Sequence, residues 1–221
     1  MTERLCCVLP VRGLADGKSR LAGLLDDESR VRLNAWLLDR TLDALGEYPG
    51  AASILVVSAS SEVRARALRR GMSAVPDPEN AGLNEAVAEG VAIARAKGAS
   101  GAFVIPVDLP LLSAKTLRRL VAEAAPPPIC LMVSDRRGEG TNFLYQSPIL
   151  LRSFGYGMGS FERHHELATA VGLGVVVSRE PTLAFDLDVP DDVESWRRAC
   201  GEAENVLGSA SHFPSLQGRL E

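Results

Sequence analysis

The chain alternates between two patterns of apolar residues. Short continuous apolar runs, such as Leu5–Val11 and Ala102–Ile105, predict buried strands. Between such runs, apolar residues recur three and four positions apart, as at Val31, Ala35 and Leu38, and this period predicts helices. Strands are expected at 5–11, 53–58, 102–105, 129–133, 174–178 and 183–189, with another after the polar loop 134–145, and helices at 27–45, 62–70, 85–97, 113–125, 161–171 and from 190 onward. This alternation is typical of an α/β domain.

The central strand leads to an acidic residue. Asp108 follows Ala102–Ile105, with Pro106 and Pro110 on either side of it. In open α/β sheets ligands bind outside the carboxyl ends of the strands, so a carboxylate at this position would face a ligand. Aspartate is also frequent as a cap of the turn that follows a strand, and for Asp108 taken alone both interpretations stay open.

A second acidic segment favours the ligand-binding interpretation. Asp186 and Asp188 alternate with apolar residues in 183–189, so on a strand they would share one face. The last helix does not need them, because Pro190 suits its first position and the aspartates that follow suit its first turn. Two carboxylates on one face repel each other unless a cation joins them. Together with Asp108 they predict an all-oxygen magnesium site.

The first strand is followed by a basic loop, residues 12–21. It contains Gly13, Gly17 and three cationic side chains, one of which is Lys18. Backbone amides and cationic side chains in such a loop can hold a triphosphate. The glycine spacing matches neither G-x-x-x-x-G-K-[ST] nor G-x-G-x-x-G, and a solvated basic loop is the alternative.

Two further turns lie at predicted helix starts. In Gly82-Leu83-Asn84, the asparagine is expected either to cap the helix or to approach a base or ribose. In 154–161, three glycines precede Ser160, which is expected to cap the next helix. Because the N-terminus of a helix carries positive potential, this glycine-rich turn is a candidate anion site, with an ordinary serine cap as the alternative. His164 and His165 on that helix are expected to be polar packing or surface residues.

Composition narrows the class of protein. Among the 221 residues, 24 Lys and Arg against 28 Asp and Glu give a net charge of −4, so nucleic acid is not an expected partner. No apolar run approaches the roughly 20 residues needed to cross a bilayer, and no membrane partner is expected. The N-terminus lacks a secretory pattern and the four cysteines read as reduced thiols, so a cytoplasmic location is expected. Residues 1–200 are expected to form the domain and 201–221 a mobile tail.

Taken in order, the motifs of the chain resemble those of one family. The motifs are Leu9-Pro10-Val11-Arg12, Gly17-Lys18-Ser19-Arg20-Leu21, Gly82-Leu83-Asn84, Pro106-Val107-Asp108-Leu109-Pro110-Leu111, Gly140-Thr141-Asn142, Gly157-Met158-Gly159-Ser160-Phe161 with His164, and Asp186-Leu187-Asp188-Val189-Pro190. As a set, from about residue 5 to 200, they are similar to the 2-phospho-L-lactate guanylyltransferase family. That family includes phosphoenolpyruvate and 3-phospho-D-glycerate guanylyltransferases and serves biosynthesis of the deazaflavin coenzyme F(420).

The resemblance implies a fold, a reaction and a set of site residues. The implied fold is the Rossmann-like nucleotidyltransferase fold, α/β with a mostly parallel, mixed sheet flanked by helices. The implied substrates are GTP and a small phospho-carboxylate acceptor, with pyrophosphate as a product and magnesium as cofactor. The implied nucleotide-binding residues are Pro10, Val11, Arg12, Lys18, Gly82, Leu83, Asn84 and Asp108, of which Lys18 and Asp108 are also catalytic. The implied acceptor-binding residues are Thr141, Gly157 and Ser160, and the implied magnesium ligands are Asp108, Asp186 and Asp188.

Two residues depart from the pattern of the family. Arg12 stands where the family often has lysine, and it keeps the positive charge. Asp188 stands where some members have glutamate, so its carboxylate reaches one carbon less far and the geometry around a metal would change.

The implied reaction needs no protein base. An acceptor phosphate oxygen is already anionic at neutral pH when it attacks the α-phosphorus of GTP, so catalysis would rest on positioning and charge neutralisation. Transfer to a molybdopterin or sugar phosphate, a sugar transferase, and a nucleotide-binding module without turnover remain as alternatives. The sequence does not choose among phospholactate, phosphoenolpyruvate and phosphoglycerate. A homodimer and hand-over of the product to a downstream biosynthetic transferase are further expectations.

Overall fold

The strands and helices alternate along the chain, as its apolar pattern predicts. The computed structural model describes residues 4–78, 82–124, 126–196 and 198. The strands are β1 Leu5–Pro10, β2 Ala51–Val57, β3 Ser73–Val75, β4 Gly101–Val104, β5 Ile129–Ser134, β6 Thr141–Ser147 and β7 Gly174–Val177. The helices are α1 Asp27–Gly46, α2 Ser61–Arg69, α3 Leu83–Ala96, α4 Ala114–Glu123, α5 Ser160–Ala170 and α6 Pro181–Ala184, with a 3-10 helix at Ser19–Leu21 and helical residues at 190–196.

The described strands form one mixed sheet in the order β3-β2-β1-β4-β6-β5-β7. Strand β6 runs antiparallel to both of its neighbours, β4 and β5, and the other pairings are parallel. Because β1, β2 and β4 are parallel neighbours, their carboxyl ends meet at one edge of the sheet. The predicted α/β class with a mostly parallel, mixed sheet is therefore confirmed.

Helices cover both faces of the sheet. The adjacent residues Cys6 and Cys7 of β1 point to opposite faces, and each belongs to a different apolar core. The Cys7 face packs against α1, α2 and α4, and the Cys6 face against α3 and α5. Because helices cover both faces of the sheet, both sides of the central parallel strands are buried, and the sequences of these strands are therefore unbroken apolar runs.

A third apolar cluster lies beyond the carboxyl edge. It joins the first loop, the start of α1 and the last described segment through Leu21, Leu25, Leu33, Leu37, Phe185, Leu187, Val193 and Trp196. The rings of Trp36 and Trp196 pack with centroids 5.5 Å apart. The cluster anchors the basic loop and the acidic segment next to each other, and so it positions the site described below.

Several element predictions need correction. Strand β3 was not expected, because its three residues are followed at once by the turn-rich segment that starts at Pro76. Strand β6 starts at Thr141, within the stretch expected to be a polar loop.

Among the described residues, no helix has the length and apolar character needed to cross a bilayer. The tail expected at 201–221 lies outside the described residues, so its mobility and the 1–200 domain boundary stay predictions.

Candidate active site

Three charged side chains meet at the carboxyl edge of the sheet. Nζ of Lys18 lies 2.9 Å from Oδ2 of Asp108 and 2.8 Å from Oδ1 of Asp188. The Lys18 side chain is only 8% exposed, whereas that of Asp188 is 37% exposed. Burial by itself lowers the pKa of the Lys18 ammonium, but the two carboxylates outweigh burial and raise that pKa. Lys18 is therefore a cation held by two carboxylates, and the alternative of a solvated loop does not apply to it.

The backbone of the first loop directs Lys18 inward. Lys18 has φ 62° and ψ 33°, a left-handed conformation that costs a residue with a side chain about 1–2 kcal/mol. The 3-10 helix that follows buries Leu21 completely, and Asn34 of α1 donates from Nδ2 to the carbonyl oxygen of Leu14 over 2.7 Å. The loop is thus anchored on both sides of Lys18, and these anchors hold the strained residue in place.

Asp108 reaches the same edge from beyond the end of β4. Helix α4 takes its cap from Ser113, whose Oγ accepts a hydrogen bond from the N–H of Thr116 over 3.1 Å. Asp108 therefore does not cap this helix, and its Oδ2 is held by Lys18 instead. Within the described part of the chain, Oδ1 of Asp108 is buried without a hydrogen-bond partner. A buried, unpartnered carboxylate oxygen at a strand end indicates a position for a ligand.

The strand predicted at 183–189 does not form. Its first residues belong to α6, a short helix capped by Glu180, whose Oε1 accepts from the N–H of Thr182 over 3.1 Å. The rest, from 185 to 189, runs beside the sheet without joining it. The segment lies at the end of β4, which already pairs with β1 and β6, so it has no free strand edge to join there.

The face predicted for the aspartates is nevertheless correct. Phe185 and Leu187 are buried, and Asp186 and Asp188 alternate with them on the more exposed side. The N–H of Leu187 donates to the carbonyl oxygen of Asp108 over 3.1 Å, which joins this segment to the end of β4. Burial, followed by the nearby Asp108 and Asp188 carboxylates, raises the pKa of Asp186 to about 6. The three carboxylates therefore interact, as the sequence predicts.

Two further residues support the acidic segment. The buried carboxylate of Asp192 accepts, through Oδ2, from the N–H groups of Asp188 and Val189, each over 2.8 Å. Its Oδ1 pairs with Arg136, whose guanidinium also lies 4.3 Å from the centroid of the Phe185 ring. Sequence reasoning assigned Asp192 only to the helix dipole, because its reach back to Asp188 depends on the turn between them.

A cavity of about 180 Å³ opens beside Asp186. Asp135, Arg136, Arg137, Asp186 and Asp192 line it. At this cavity, two arginines of the β5–β6 loop lie next to the acidic segment, although about 50 residues separate that loop from the segment in the chain.

In the described part of the chain, the acidic cluster has the donor atoms of a metal site but not its geometry. Among the described residues, no group of three or more His, Cys, Asp or Glu side chains has metal-site geometry. The ammonium of Lys18 lies between Asp108 and Asp188, where it takes the place that a cation would fill. The donor set suits a hard divalent cation, because it offers carboxylate oxygens only, including the unpartnered Oδ1 of Asp108. The donor chemistry therefore fits a hard divalent cation, but the site is not preformed in the described residues.

The turn before α3 is organised differently from the prediction. The cap of α3 is Gly82, and Oε2 of Glu85 accepts from the N–H of Gly82 over 3.0 Å. Asn84 is therefore inside the helix, and its predicted role as the cap is wrong. Its Oδ1 accepts from the N–H of Tyr156 over 2.6 Å. Asn84 thus joins the Gly82-Leu83-Asn84 turn to the glycine-rich loop that precedes α5.

The remaining residues predicted for the nucleotide site lie at the end of β1 and just beyond it. Pro10 ends β1, and the N–H of Val11 continues the ladder by donating to the last residue of β2 over 2.9 Å. Arg12 is exposed, and its charge acts against the burial and the Glu85 carboxylate that raise the pKa of Asp77. Arg12 therefore lies close enough to Asp77, in the segment before α3, to act on its carboxylate.

The three predicted acceptor residues lie together. Oγ of Ser160 donates to Oγ1 of Thr141 over 3.2 Å, and the N–H of Ser160 donates to the carbonyl oxygen of Gly157 over 3.0 Å. The cap of α5 is Gly159, with φ 68°, so the prediction that Ser160 is the cap is wrong. Gly157 has φ 114°, which only glycine adopts readily. Positive φ at both glycines turns the loop sharply and puts the Ser160 side chain against β6.

The fold and this edge site define an α/β protein with the nucleotidyltransferase fold. The structure of a nucleotidyl transferase from Methanothermobacter aligns with a TM-score of 0.64 and 19% identity, over 90% of this chain and 99% of that one. A family model described as "Guanylyl transferase CofC like" matches residues 5–196. The chain belongs to this family.

Relatives of known name agree with the family. A phosphoenolpyruvate guanylyltransferase from Conexibacter woesei is 34% identical over 216 residues, which cover 96% of this chain and 95% of the relative. A 3-phospho-D-glycerate guanylyltransferase from Phenylobacterium zucineum is 35% identical over 199 residues, covering 88% and 90%. The protein is thus an enzyme, a guanylyltransferase of the nucleotidyltransferase class, and the resemblance noted from its motifs is confirmed.

Proposed function

We propose that this enzyme transfers GMP from GTP to the phosphate of a three-carbon phospho-acid in the biosynthesis of coenzyme F(420). Phosphoenolpyruvate and 3-phospho-D-glycerate are the acceptors that its relatives are named for, and 2-phospho-L-lactate is the third candidate. The proposal rests on one observation within this family: Lys18, Asp108 and Asp188 form a charged cluster at the carboxyl edge of the sheet, where α/β proteins bind ligands.

The proposed reaction is an in-line displacement at phosphorus. An oxygen of the acceptor phosphate forms a bond to the α-phosphorus of GTP, and the bond from that phosphorus to the bridging oxygen of the β-phosphate breaks. Pyrophosphate leaves with the electron pair. The attacking oxygen carries negative charge at neutral pH, so the protein contributes binding, orientation and charge neutralisation rather than a base.

Magnesium is the proposed cofactor, held by Asp108, Asp186 and Asp188. When bound, it would neutralise charge on the phosphate oxygens of the nucleotide. The carboxylates of Asp108 and Asp188 contribute to the raised pKa of Asp186, so the three groups lie close enough to interact. Asp108 also has a buried oxygen without a hydrogen-bond partner among the described residues. The ammonium of Lys18 lies at the same edge and supplies the positive charge that a triphosphate needs.

The nucleotide is proposed to lie along the ends of β1 and β4 and the start of α3. Pro10, Val11 and Arg12 would form one side of this site, and the Gly82-Leu83-Asn84 turn the other. The exposed guanidinium of Arg12 supports this placement, because its charge acts on Asp77, in the segment that precedes α3.

The acceptor is proposed to bind through its carboxylate at Thr141, Gly157 and Ser160. The N-terminus of the 11-residue helix α5 adds positive potential at that point. The hydrogen bond between Asn84 and Tyr156 links the acceptor loop to the nucleotide side, which supports binding of the two substrates next to each other. A cytoplasmic location, a homodimer and hand-over of the product to a later transferase stay predictions.

The test is a panel of acceptors assayed with purified enzyme, magnesium and GTP. Pyrophosphate release and product mass are measured with phosphoenolpyruvate, 3-phospho-D-glycerate, 2-phospho-L-lactate, a sugar phosphate and no acceptor. We expect a GMP adduct with at least one phospho-acid, and no pyrophosphate without an acceptor. ATP in place of GTP is the matched control. Transfer only to the sugar phosphate, or no turnover with any acceptor, would contradict the proposal.

A further inference from the structure

The side chain of His164 lies within the group of predicted acceptor residues, although the side chain itself is not exposed to solvent. It is 0% exposed on α5. Its Nδ1 lies 3.0 Å from Oγ1 of Thr141, and its Nε2 lies 3.0 Å from the backbone nitrogen of Gly155. The Tyr156 ring packs edge-on against the imidazole, with centroids 4.6 Å apart. Both ring nitrogens therefore have a defined partner, and the partners determine where the proton resides.

The backbone of Gly155 settles the tautomer. An amide N–H can only donate, so Nε2 of His164 must present its lone pair to it. A neutral imidazole carries one proton, which must then be on Nδ1. A doubly protonated ring would set an Nε2–H against the N–H of Gly155. Consistently, burial and then the nearby Arg163 lower the pKa of His164 to about 4.

This tautomer in turn orients the hydroxyl of Thr141. Nδ1–H of His164 donates to Oγ1 of Thr141, and the hydroxyl of Ser160 donates to the same oxygen over 3.2 Å. A hydroxyl has two lone pairs and one hydrogen. With both lone pairs taken, the hydrogen of Thr141 points away from both partners and is presented as a donor.

We infer that His164 is a positioning residue of the acceptor site, which makes the Thr141 hydroxyl a dedicated donor to an anionic group and ties the 155–159 turn to α5. The inference rests on the proposed function, because it takes Thr141 as an acceptor-binding residue. A carboxylate suits such a donor, because an ionised carboxylate only accepts hydrogen bonds. His164 does not contact the reacting atoms and acts through Thr141.

Two substitutions separate the two hydrogen bonds of the ring. In His164→Asn, the amide nitrogen lies near the position of Nδ1, so the donor to Thr141 is kept and the acceptor for Gly155 is lost. In His164→Gln, the amide oxygen lies near the position of Nε2, so the acceptor is kept and the donor is lost. The exposed neighbour His165→Gln is the matched control.

The measured quantities are the KM for the phospho-acid, the KM for GTP, kcat and the melting temperature. We expect His164→Gln to raise the acceptor KM about tenfold, the scale of one hydrogen bond to a charged group. The KM for GTP should stay unchanged, His164→Asn should recover most of the acceptor affinity, and His165→Gln should match the wild type. Equal acceptor KM values in all variants, or a rise in both KM values that follows the loss of stability, would overturn the inference.

A second measurement does not depend on activity. Two-bond proton–nitrogen NMR correlations distinguish a protonated from a bare ring nitrogen. We expect His164 to show a protonated Nδ1 and a bare Nε2 throughout pH 6 to 8. A protonated Nε2 would refute the inference even in an active enzyme. If instead the tautomer is as expected and no phospho-acid is used, the proposed function fails and the orienting role at Thr141 loses its ligand.

Discussion

At the scale of single residues, the site is a balance of charges. Asp108 and Asp188 are held together by one ammonium, and Asp186 lies beside them without such a partner in the described hydrogen bonds and ion pairs. Burial, and after it the like charges at close range, destabilise the ionised form, which is why the pKa of Asp186 rises. An acidic residue kept under such repulsion is typical of a site that binds a cation or performs chemistry.

Asp186→Asn tests this balance. The substitution removes one of three repelling charges, so we expect the melting temperature without metal to stay the same or to rise. Turnover at saturating magnesium should fall by about two orders of magnitude, the usual scale for losing an electrostatic contact to a transition state. The control is Asp191→Asn, an exposed aspartate in the same part of the chain. A clear loss of stability with a proportionate loss of turnover would show that Asp186 is only structural.

At the scale of elements, α3 lies unusually close to the sheet. A Cβ added at Gly90 would lie 2.5 Å from Cγ1 of Val8 on β1 and 3.0 Å from Cγ2 of Val57 on β2. Both valines are fully buried and cannot move aside at little cost. Gly90 therefore sets how closely α3 approaches β1, and through it where the Gly82-Leu83-Asn84 turn lies.

Gly90→Ala should destabilise the protein even though alanine favours helices. The intrinsic gain of about 0.5–1 kcal/mol is outweighed by overpacking, which costs about 1–3 kcal/mol. Gly46→Ala is the matched control, because its new Cβ would lie at an ordinary 3.5 Å from Cε of Met72. The measurement is the free energy of unfolding in urea. Adding Val8→Ala should restore part of the loss, and a Gly90→Ala variant as stable as the wild type would refute the packing argument.

At the scale of the whole molecule, the buried His164 couples folding to pH. Its pKa is about 4 in the folded protein and about 6.5 in an unfolded chain. Above pH 6.5 the imidazole is neutral in both states and has no effect on stability. As the pH falls below 6.5, His164 binds a proton in the unfolded state but not in the folded state, so stability decreases until about pH 4.

We expect the wild type to lose about 2 kcal/mol between pH 7 and pH 5 from this group. Asp186 acts in the opposite direction, because its folded pKa of about 6 lies above its unfolded value and stability is regained as the pH falls through it. Comparison with His164→Gln isolates the histidine, since both proteins keep Asp186. The check is urea unfolding of both at the two pH values, and identical pH dependence would disprove the coupling.

The sequence predicted most of the fold because periodicity is a local property. The runs at β1, β2 and β5 and the apolar face of α1 were located within a few residues. The errors lie where a local hydrogen bond decides the outcome. Glu180 starts a helical turn in place of the strand at 183–189, and Gly82 and Gly159 take the caps expected of Asn84 and Ser160. Such competition between side-chain caps cannot be read from apolar patterns.

The sequence by itself determined the α/β class, the family and the acidic motif, because these depend on residue type and order along the chain. The tertiary structure decided which charges meet. Lys18 and Asp188 lie 170 positions apart, and His164 and Thr141 lie 23 apart. Their contacts depend on how parallel strands and the third apolar cluster bring distant loops to one edge. The proton position on His164 depends further on one backbone N–H, because a hydrogen bond needs distance and direction that no sequence spacing carries.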